Sequence, residues 1–529
     1  VDKTGPPLIC FEDEHLLVVN KPPGLNTHSP SPYAGEGLYE WLRNREPRWA
    51  SLAIIHRLDK ETSGLMVFAK TVEANRSLTA QFEGHRVKKK YVLLTDRAVG
   101  KRDFAVKSTL VRAGDKYVSR PAHAGGVEAE TRFRVLRKQG DHTLIEAEPL
   151  TGRTHQIRVH AADSKIPICG DKVYGGSPAS RLCLHAQSLR FTHPVTNETL
   201  AFDTPFDFDS DPRRDLRAQL IDAEATDSYR MLHGASDGWP GWYVDKLGEF
   251  VLSQSASDVS EDQLRFLKSI PARGVYHKLL TRQIRKTQAV DASPTLIFGE
   301  PSPERFAIIE NGVRYEMSFA EGYSVGLFLD QRDNRRKLLV NYAGPRFTLF
   351  DGGLPRREVL NTFAYTCGFS VCGAKAGARV TSLDLSRKYL DWGRRNFDLN
   401  GLDHTRHDFI YGDAFDWMRR LHKKARKFDL IILDPPTFSQ SKEHGTFRAE
   451  KDYGKLVKAS MPLLNDGGVL FASTNGAEWA PEEFLGNLRA GITGTRRRVL
   501  HEHYVPQPPD FPVSREEPAY LKTVWLRVS

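Results

Sequence analysis

The chain has 529 residues, 40% of them hydrophobic and 27% charged, which is enough for three or four domains with cores of their own. Its net charge of +10, split about evenly on either side of residue 210, suits an RNA partner, because phosphate neutralisation supplies much of RNA-binding affinity. Five scattered cysteines without CxxC spacing argue against a disulfide framework or a zinc site, and no apolar run approaches the ~18 residues of a membrane span. The first residues, Val-Asp-Lys-Thr-Gly-Pro-Pro, lack the apolar core of a signal peptide. Reduced thiols, no metal, no membrane and a cytoplasmic location are therefore expected.

Residues 8–11 and 16–20 read as short strands around the turn Glu12-Asp13-Glu14. Lys21-Pro22-Pro23-Gly24-Leu25 reads as a rigid loop. Two apolar runs, 52–55 and 65–69, flank the polar loop His56-Arg57-Leu58-Asp59-Lys60-Glu61-Thr62-Ser63-Gly64. Arg57 lies two residues before Asp59. A carboxylate with a cationic neighbour can act as a nucleophile, and on spacing alone it can equally cap a turn or pair with Arg57 for stability. Residues 71–83 read as a helix with Ala74, Leu78 and Phe82 on one face. The basic run 86–90 follows, then Tyr91 opening an apolar strand. Residues 103–148 read as alternating strands and turns.

The loop around Asp59 resembles the catalytic loop of the RluA-type pseudouridine synthases, His-Arg-Leu-Asp-x-x-Thr-Ser-Gly, at every fixed position. Further matches are Leu150-Thr151-Gly152-Arg153-Thr154-His155-Gln156-Ile157-Arg158-Val159-His160, Gly170-Asp171 with Tyr174-Gly175, and Leu184-His185-Ala186 with His193-Pro194. The resemblance covers roughly residues 8–205, with no S4-type module expected in front. It implies that Asp59 attacks the uridine, that Arg158 pairs with Asp59, that Tyr91 contacts the flipped base and that Arg57 belongs to the substrate site. A planar guanidinium suits pairing with a carboxylate. For Arg153 and His155 the expectation is phosphate contact or packing. The uracil must be unstacked before its glycosidic bond is broken and remade, and the synthase half needs no cofactor.

Residues 203–215 are acidic with two prolines, which marks a boundary. Ser236-Asp237-Gly238-Trp239-Pro240-Gly241-Trp242-Tyr243-Val244-Asp245 reads as a turn and strand. It is similar to a hairpin in the small β-rich domain of the RlmI-type rRNA methyltransferases. That similarity allows an RNA-facing accessory domain, and a packing spacer remains the alternative. Gly326-Leu327-Phe328-Leu329-Asp330-Gln331-Arg332 resembles the segment that precedes the cofactor fold in the same families.

Residues 358–370 then read as strand, turn and helix, and 380–384 as a second strand ending in Asp384. This is βαβ logic, with a ligand at the carboxyl ends of the strands and an acid ~20 residues on for a ribose diol. Asn361, Phe363, Gly368, Asp384 and Asp413 are the expected contacts to the cofactor. Asp434-Pro435-Pro436-Thr437-Phe438 ends an apolar strand. Asp434 is placed to act on the base as hydrogen-bond acceptor and Phe438 to stack on it. Residues 310–529 resemble a class I S-adenosylmethionine-dependent methyltransferase, and Asp-Pro-Pro-Thr-Phe-Ser-x-Ser-Lys is most similar to the RlmK-type enzymes that methylate guanine nitrogen 7.

The expectation is thus an α/β and α+β multidomain chain. A mixed-sheet pseudouridine synthase domain spans 1–210, a linker 211–227 and a small β-rich α+β accessory domain 228–305. A Rossmann-like class I methyltransferase domain spans 306–529. The expected function is bifunctional RNA modification, with S-adenosyl-L-methionine as cofactor of the second half. The expected partner is RNA, as 23S rRNA or a pre-ribosomal particle. Alternatives are a chain in which one half is only an RNA clamp, a cytosine carbon 5 target, and protein methylation.

Overall fold

The computed structural model describes residues 5–121, 125–280, 293–322, 324–441 and 445–529, so Lys442 of the Asp-Pro-Pro run lies outside the described residues. The chain divides into two units. One comprises residues 1–29, 37–39 and 51–222, the other 30–36, 40–50 and 223–529.

The first unit is built on an 11-stranded sheet. Its centre runs Leu16–Lys21, Ser63–Ala69, Leu184–Thr192, Lys88–Thr95, His142–Pro149. Every pairing is antiparallel except Leu184–Thr192 on Ser63–Ala69, which makes the sheet mixed. That parallel pairing requires Gly64. Its φ is +120°, and a Cβ there would meet the Ala186 carbonyl oxygen at 2.3 Å. Helix Val72–Glu83 follows, capped by Thr71 accepting from the Ala74 amide, and it buries Ala74 and Leu78 over Leu16, Val18, Leu65 and Val67. Residues 212–220, inside the expected linker, form a helix: Asp211 accepts from the Arg213 amide at its start and Pro212 occupies the first turn.

In the second unit, Ser228–His233, Trp242–Leu247, Phe250–Ser255, Gly274–Leu279 and Thr295–Gly299 make a five-stranded sheet. Trp242 is fully buried and its indole N–H donates to Ser253 Oγ at 2.8 Å. The larger sheet has seven strands in the order Asp408–Tyr411, Arg379–Asp384, Glu358–Thr362, Phe428–Leu433, Leu464–Thr474, Lys522–Val528, Val499–Pro506. The first five are parallel, and Lys522–Val528 runs antiparallel to both of its neighbours. Both faces are covered, and the period of two in a strand divides the core. Val359, Leu430, Ile432, Val469 and Phe471 enter one apolar cluster, while Leu360, Ile431, Leu433, Leu470 and Ala472 enter the other. Chain order reverses between Glu358–Thr362 and Phe428–Leu433, which is the switch point where open α/β sheets hold ligands. Among the described residues no helix is long and apolar enough to cross a membrane.

Candidate active sites

In the first unit, Arg57, Asp59, Tyr91 and Arg158 line one cavity of about 870 Å³. The backbone on both sides of Asp59 is pinned. Thr27 Oγ1 donates to the Leu58 carbonyl at 2.9 Å and accepts from the Leu58 amide at 3.1 Å. The buried Lys21 ammonium donates to the carbonyls of Pro22, Leu25 and Lys60 at 2.8–3.0 Å, tying the Lys-Pro-Pro-Gly loop to the residue after Asp59. Burial brings Lys21 down to about 7. His56 accepts from the Val67 amide at 3.1 Å and stacks on Phe82, and burial pushes its imidazole down to about 3. It is a neutral strut under the loop.

Arg158, on helix Gln156–Asp163, reaches Asp59 at 3.5 Å, while Arg57 stands exposed. Arg158 is itself held from behind. Its Nε and Nη2 donate to the two oxygens of the buried Asp171 at 2.7 and 2.8 Å. Tyr91 is buried in the strand Lys88–Thr95, and desolvation, with the nearby Asp59 charge, pushes its phenol up, so the ring stays neutral. His155 was expected to contact phosphate or pack. It sits in the left-handed region at φ 58°, with Nε2 3.7 Å from Asp59 and Nδ1 2.9 Å from the Tyr174 hydroxyl. The fold brings His155 to Asp59 and sets Asp171 behind Arg158, which faces Asp59.

In the second unit, Asp384 ends one parallel strand, Asp413 follows its neighbour, and Asp434 follows Phe428–Leu433 on the other side of Glu358–Thr362, all at the carboxyl ends of the sheet's strands. The turn before helix Gly368–Lys375 holds Phe363, Tyr365 and Cys367 all at positive φ, 54°, 48° and 66°. Three non-glycine residues in that region within five positions is stored strain of the kind that marks ligand clamps. Asp384 uses one oxygen for the Tyr365 amide and the other for the Ser386 amide, both at 2.8 Å, which keeps lone pairs on each for two hydroxyls. Leu385 beside it is exposed and offers an apolar platform. Asp413 caps helix Ala414–Lys423 through the Asp416 amide at 3.1 Å. Asn361 differs from the rest. Its side chain is buried, and its amide donates to Ser370 Oγ at 2.8 Å, because its strand position points under the helix.

Asp434 accepts from Gln331 Nε2 at 3.3 Å, and Gln331 also donates to Ser473 Oγ at 2.7 Å. Gln331 is fixed in turn by Asn334, which takes the Trp525 indole N–H at 3.1 Å. Desolvation raises the Asp434 carboxyl to about 6. Phe438, four residues on, is exposed. Gln331 and Asn334 take their roles from contacts with residues more than a hundred positions away, which no local pattern announces. Cys367 and Cys372 are buried, and desolvation pushes both thiols up to about 12. Among the described residues no cluster of His, Cys, Asp and Glu could hold a metal.

Residues 15–163 match the family model described as RNA pseudouridylate synthase, and residues 261–527 match S-adenosylmethionine-dependent methyltransferase. The ribosomal RNA large subunit methyltransferase I of Erwinia tasmaniensis is 33% identical over 323 residues, covering 59% of this chain and 78% of its own. A ribosomal RNA large subunit methyltransferase of Deinococcus radiodurans is 33% identical over 315 residues, covering 57% and 73%. The crystal structure of SMU.776, assigned as a methyltransferase and complexed with SAH, superposes with a TM-score of 0.52 at 27% identity, covering 60% of this chain and 79% of that one.

Proposed function

We propose that this chain, which belongs to the S-adenosylmethionine-dependent methyltransferase family and carries an RNA pseudouridylate synthase domain ahead of it, modifies large-subunit ribosomal RNA twice. The first reaction isomerises uridine and the second methylates guanine at nitrogen 7, with the cytoplasm as the place of action. In the first, Asp59 is the nucleophile, Arg158 balances its charge, Tyr91 lies against the base and Arg57 meets the RNA at the rim. The bond from ribose carbon 1′ to N1 breaks and one to C5 forms. N1 gains a proton and C5 loses one, so nothing is added or removed overall. The carboxylate, guanidinium and neutral phenol in one cavity support those roles.

In the second half, S-adenosylmethionine supplies the methyl group. In this reading Asp384 takes the ribose hydroxyls and Asp413, Gly368 and Phe363 contact the cofactor at the same edge, with Asn361 bracing it from beneath through Ser370; the lone pairs left on both Asp384 oxygens support the first role. Asp434 accepts a hydrogen bond from the base and Phe438 stacks on it. The observation that carries the guanine assignment is the state of the thiols. Cytosine carbon 5 becomes nucleophilic only after a thiolate adds to the ring, whereas guanine nitrogen 7 needs only alignment. No cysteine follows Cys372, and Cys367 and Cys372 are buried with raised thiols. By the resemblance to the RlmI-type enzymes, Ser473-Thr474-Asn475-Gly476 stands where those enzymes carry their cysteine.

Nucleoside mass spectrometry of 23S rRNA treated with the full chain tests both reactions. Pseudouridine together with 7-methylguanosine is the expected product set. 5-methylcytidine would overturn the guanine assignment, and the absence of pseudouridine would overturn the first half.

A further inference from the structure

The sequence places a dense basic run well away from the methyl-transfer centre. Residues 419–427, Arg-Arg-Leu-His-Lys-Lys-Ala-Arg-Lys, hold six lysines and arginines and no acid. The run begins in the last turns of helix Ala414–Lys423, whose other end carries Asp413 at the cofactor edge. Ten residues of helix span ~15 Å, so the run lies at the opposite end of the sheet from that edge. Arg419, Arg420, Lys423, Lys424 and Lys427 are exposed. A helix C-terminus favours a cation or two, but six exceed what its dipole can use.

Beside the run lies the edge strand Asp408–Tyr411, which is paired on one side only within its sheet. A depression of about 600 Å³ between them is lined by Arg394, His404, His407, Trp417, Lys424 and Arg426. Two arginines here are stacked on rings: Arg394 over Phe409 at 4.7 Å and Arg420 over Trp417 at 5.1 Å. Asp416 holds Arg419 and Arg420 at 3.0 and 2.7 Å, and Asp408 and Glu358 hold Arg426 at 3.3 Å each. Three carboxylates against six cations leave a positive surface whose guanidiniums are already ordered. Flat, ordered guanidiniums with lysines beside them match phosphate oxygens along a nucleic-acid backbone.

We propose that this sheet edge and the basic run form a phosphate-binding surface that grips an arm of the RNA substrate away from the base being methylated. The proposal rests on the RNA-modification reading and adds a second anchor to it. Such an anchor contributes affinity without base selectivity, and its signature is salt dependence.

The test uses the full chain with 23S rRNA transcribed in vitro and an unrelated hairpin RNA, by filter binding from about 50 to about 300 mM KCl. The triple variant Arg420→Ala, Lys423→Ala, Lys424→Ala should bind both RNAs about tenfold more weakly near 0.15 M salt, with a salt slope smaller by about two. Its affinity for S-adenosylmethionine, measured by calorimetry, should match the wild type, which separates a lost contact from a lost fold. Lys423→Arg with Lys424→Arg should keep wild-type binding. A triple variant with wild-type affinity and slope overturns the surface, as does an arginine pair as weak as the alanine variant. A wild-type chain that binds neither RNA overturns the RNA-modification reading itself.

Discussion

Asp171 touches no substrate, yet Asp171→Asn should cripple pseudouridine formation. In the wild type, Arg158 lies between two carboxylates, bonded to Asp171 at 2.7 and 2.8 Å and facing Asp59 at 3.5 Å. Removing one partner of a buried ion pair costs about 3–5 kcal/mol. Asparagine keeps an oxygen for the Val173 and Tyr174 amides, now at 3.1 and 3.2 Å, and one bond to Arg158, so the loss should fall near ~3 kcal/mol. The released guanidinium then closes on Asp59, its remaining carboxylate, and a tighter ion pair makes a poorer nucleophile. The expected result is a kcat about 10- to 100-fold lower with KM little changed, because the RNA contacts remain. Tritium release from 5-tritiated uridine in an rRNA transcript measures it, and methyl transfer by the same sample reports on the rest of the chain. Wild-type kcat in Asp171→Asn would refute the reasoning.

Asp59→Asn should abolish pseudouridine formation while methylation continues, since an amide cannot replace the attacking carboxylate; pseudouridine at wild-type levels would remove Asp59 from the mechanism. Asp384→Ala should weaken S-adenosylmethionine binding by about 1–3 kcal/mol, read by calorimetry, and unchanged affinity would place the ribose elsewhere. Asp434, raised from 3.8 to about 6 by burial, binds its proton more tightly folded than unfolded. Stability should therefore fall as pH rises from about 4 to about 6, and methyl transfer should rise through about pH 6 as the acceptor form appears. Asp434→Asn should flatten the melting-temperature trend across that interval, and an identical trend in the variant would assign it to another group. Changing Cys367 and Cys372 to serine should leave methyl transfer in place apart from lost packing, which radiolabelled methyl incorporation checks.

Local patterns were read well from sequence because their causes are local. The helix after residue 71 announces itself through Thr71 and the spacing of Ala74 and Leu78, and Asp384 follows its glycine turn at the expected offset. Gly64 stands in a motif for a reason that only the sheet reveals, the Ala186 backbone pressed against it. Contacts made by folding are invisible to residue spacing alone. Arg57 is near Asp59 in sequence, yet it is Arg158, 99 residues on and the partner that the family resemblance implies, that the structure sets 3.5 Å from the carboxylate. Asn361 looked like a cofactor contact from its place at a strand end, but strand alternation turned it under the helix. The acidic stretch before residue 216 has the composition of a linker; Asp211 with Pro212 starts a helix there, and the break between the two units falls just beyond it, at 222/223.

The two centres use buried charge differently. Around Asp434, Arg332 is locked to Asp510 at 2.5 and 2.8 Å and Arg335 to Glu310 at 2.7 Å, both pairs buried. Such pairs add little net stability, since desolvation offsets the attraction, but each fixes a side chain in one geometry. They clamp the helical segment that presents Gln331, so an amide rather than a cation faces Asp434. In the synthase half the equivalent lock, Asp171, holds a guanidinium directly against its carboxylate. On the proposed roles, the group that attacks carbon has a full opposite charge beside it. A group that only accepts a hydrogen bond has a dipole, and its carboxyl stays near 6, within reach of ordinary changes in pH. Gln331→Arg should accordingly pull the Asp434 carboxyl back down and move the methylation profile to lower pH. A profile still centred near 6 in that variant would mean that burial alone, and not the neutral partner, sets the titration.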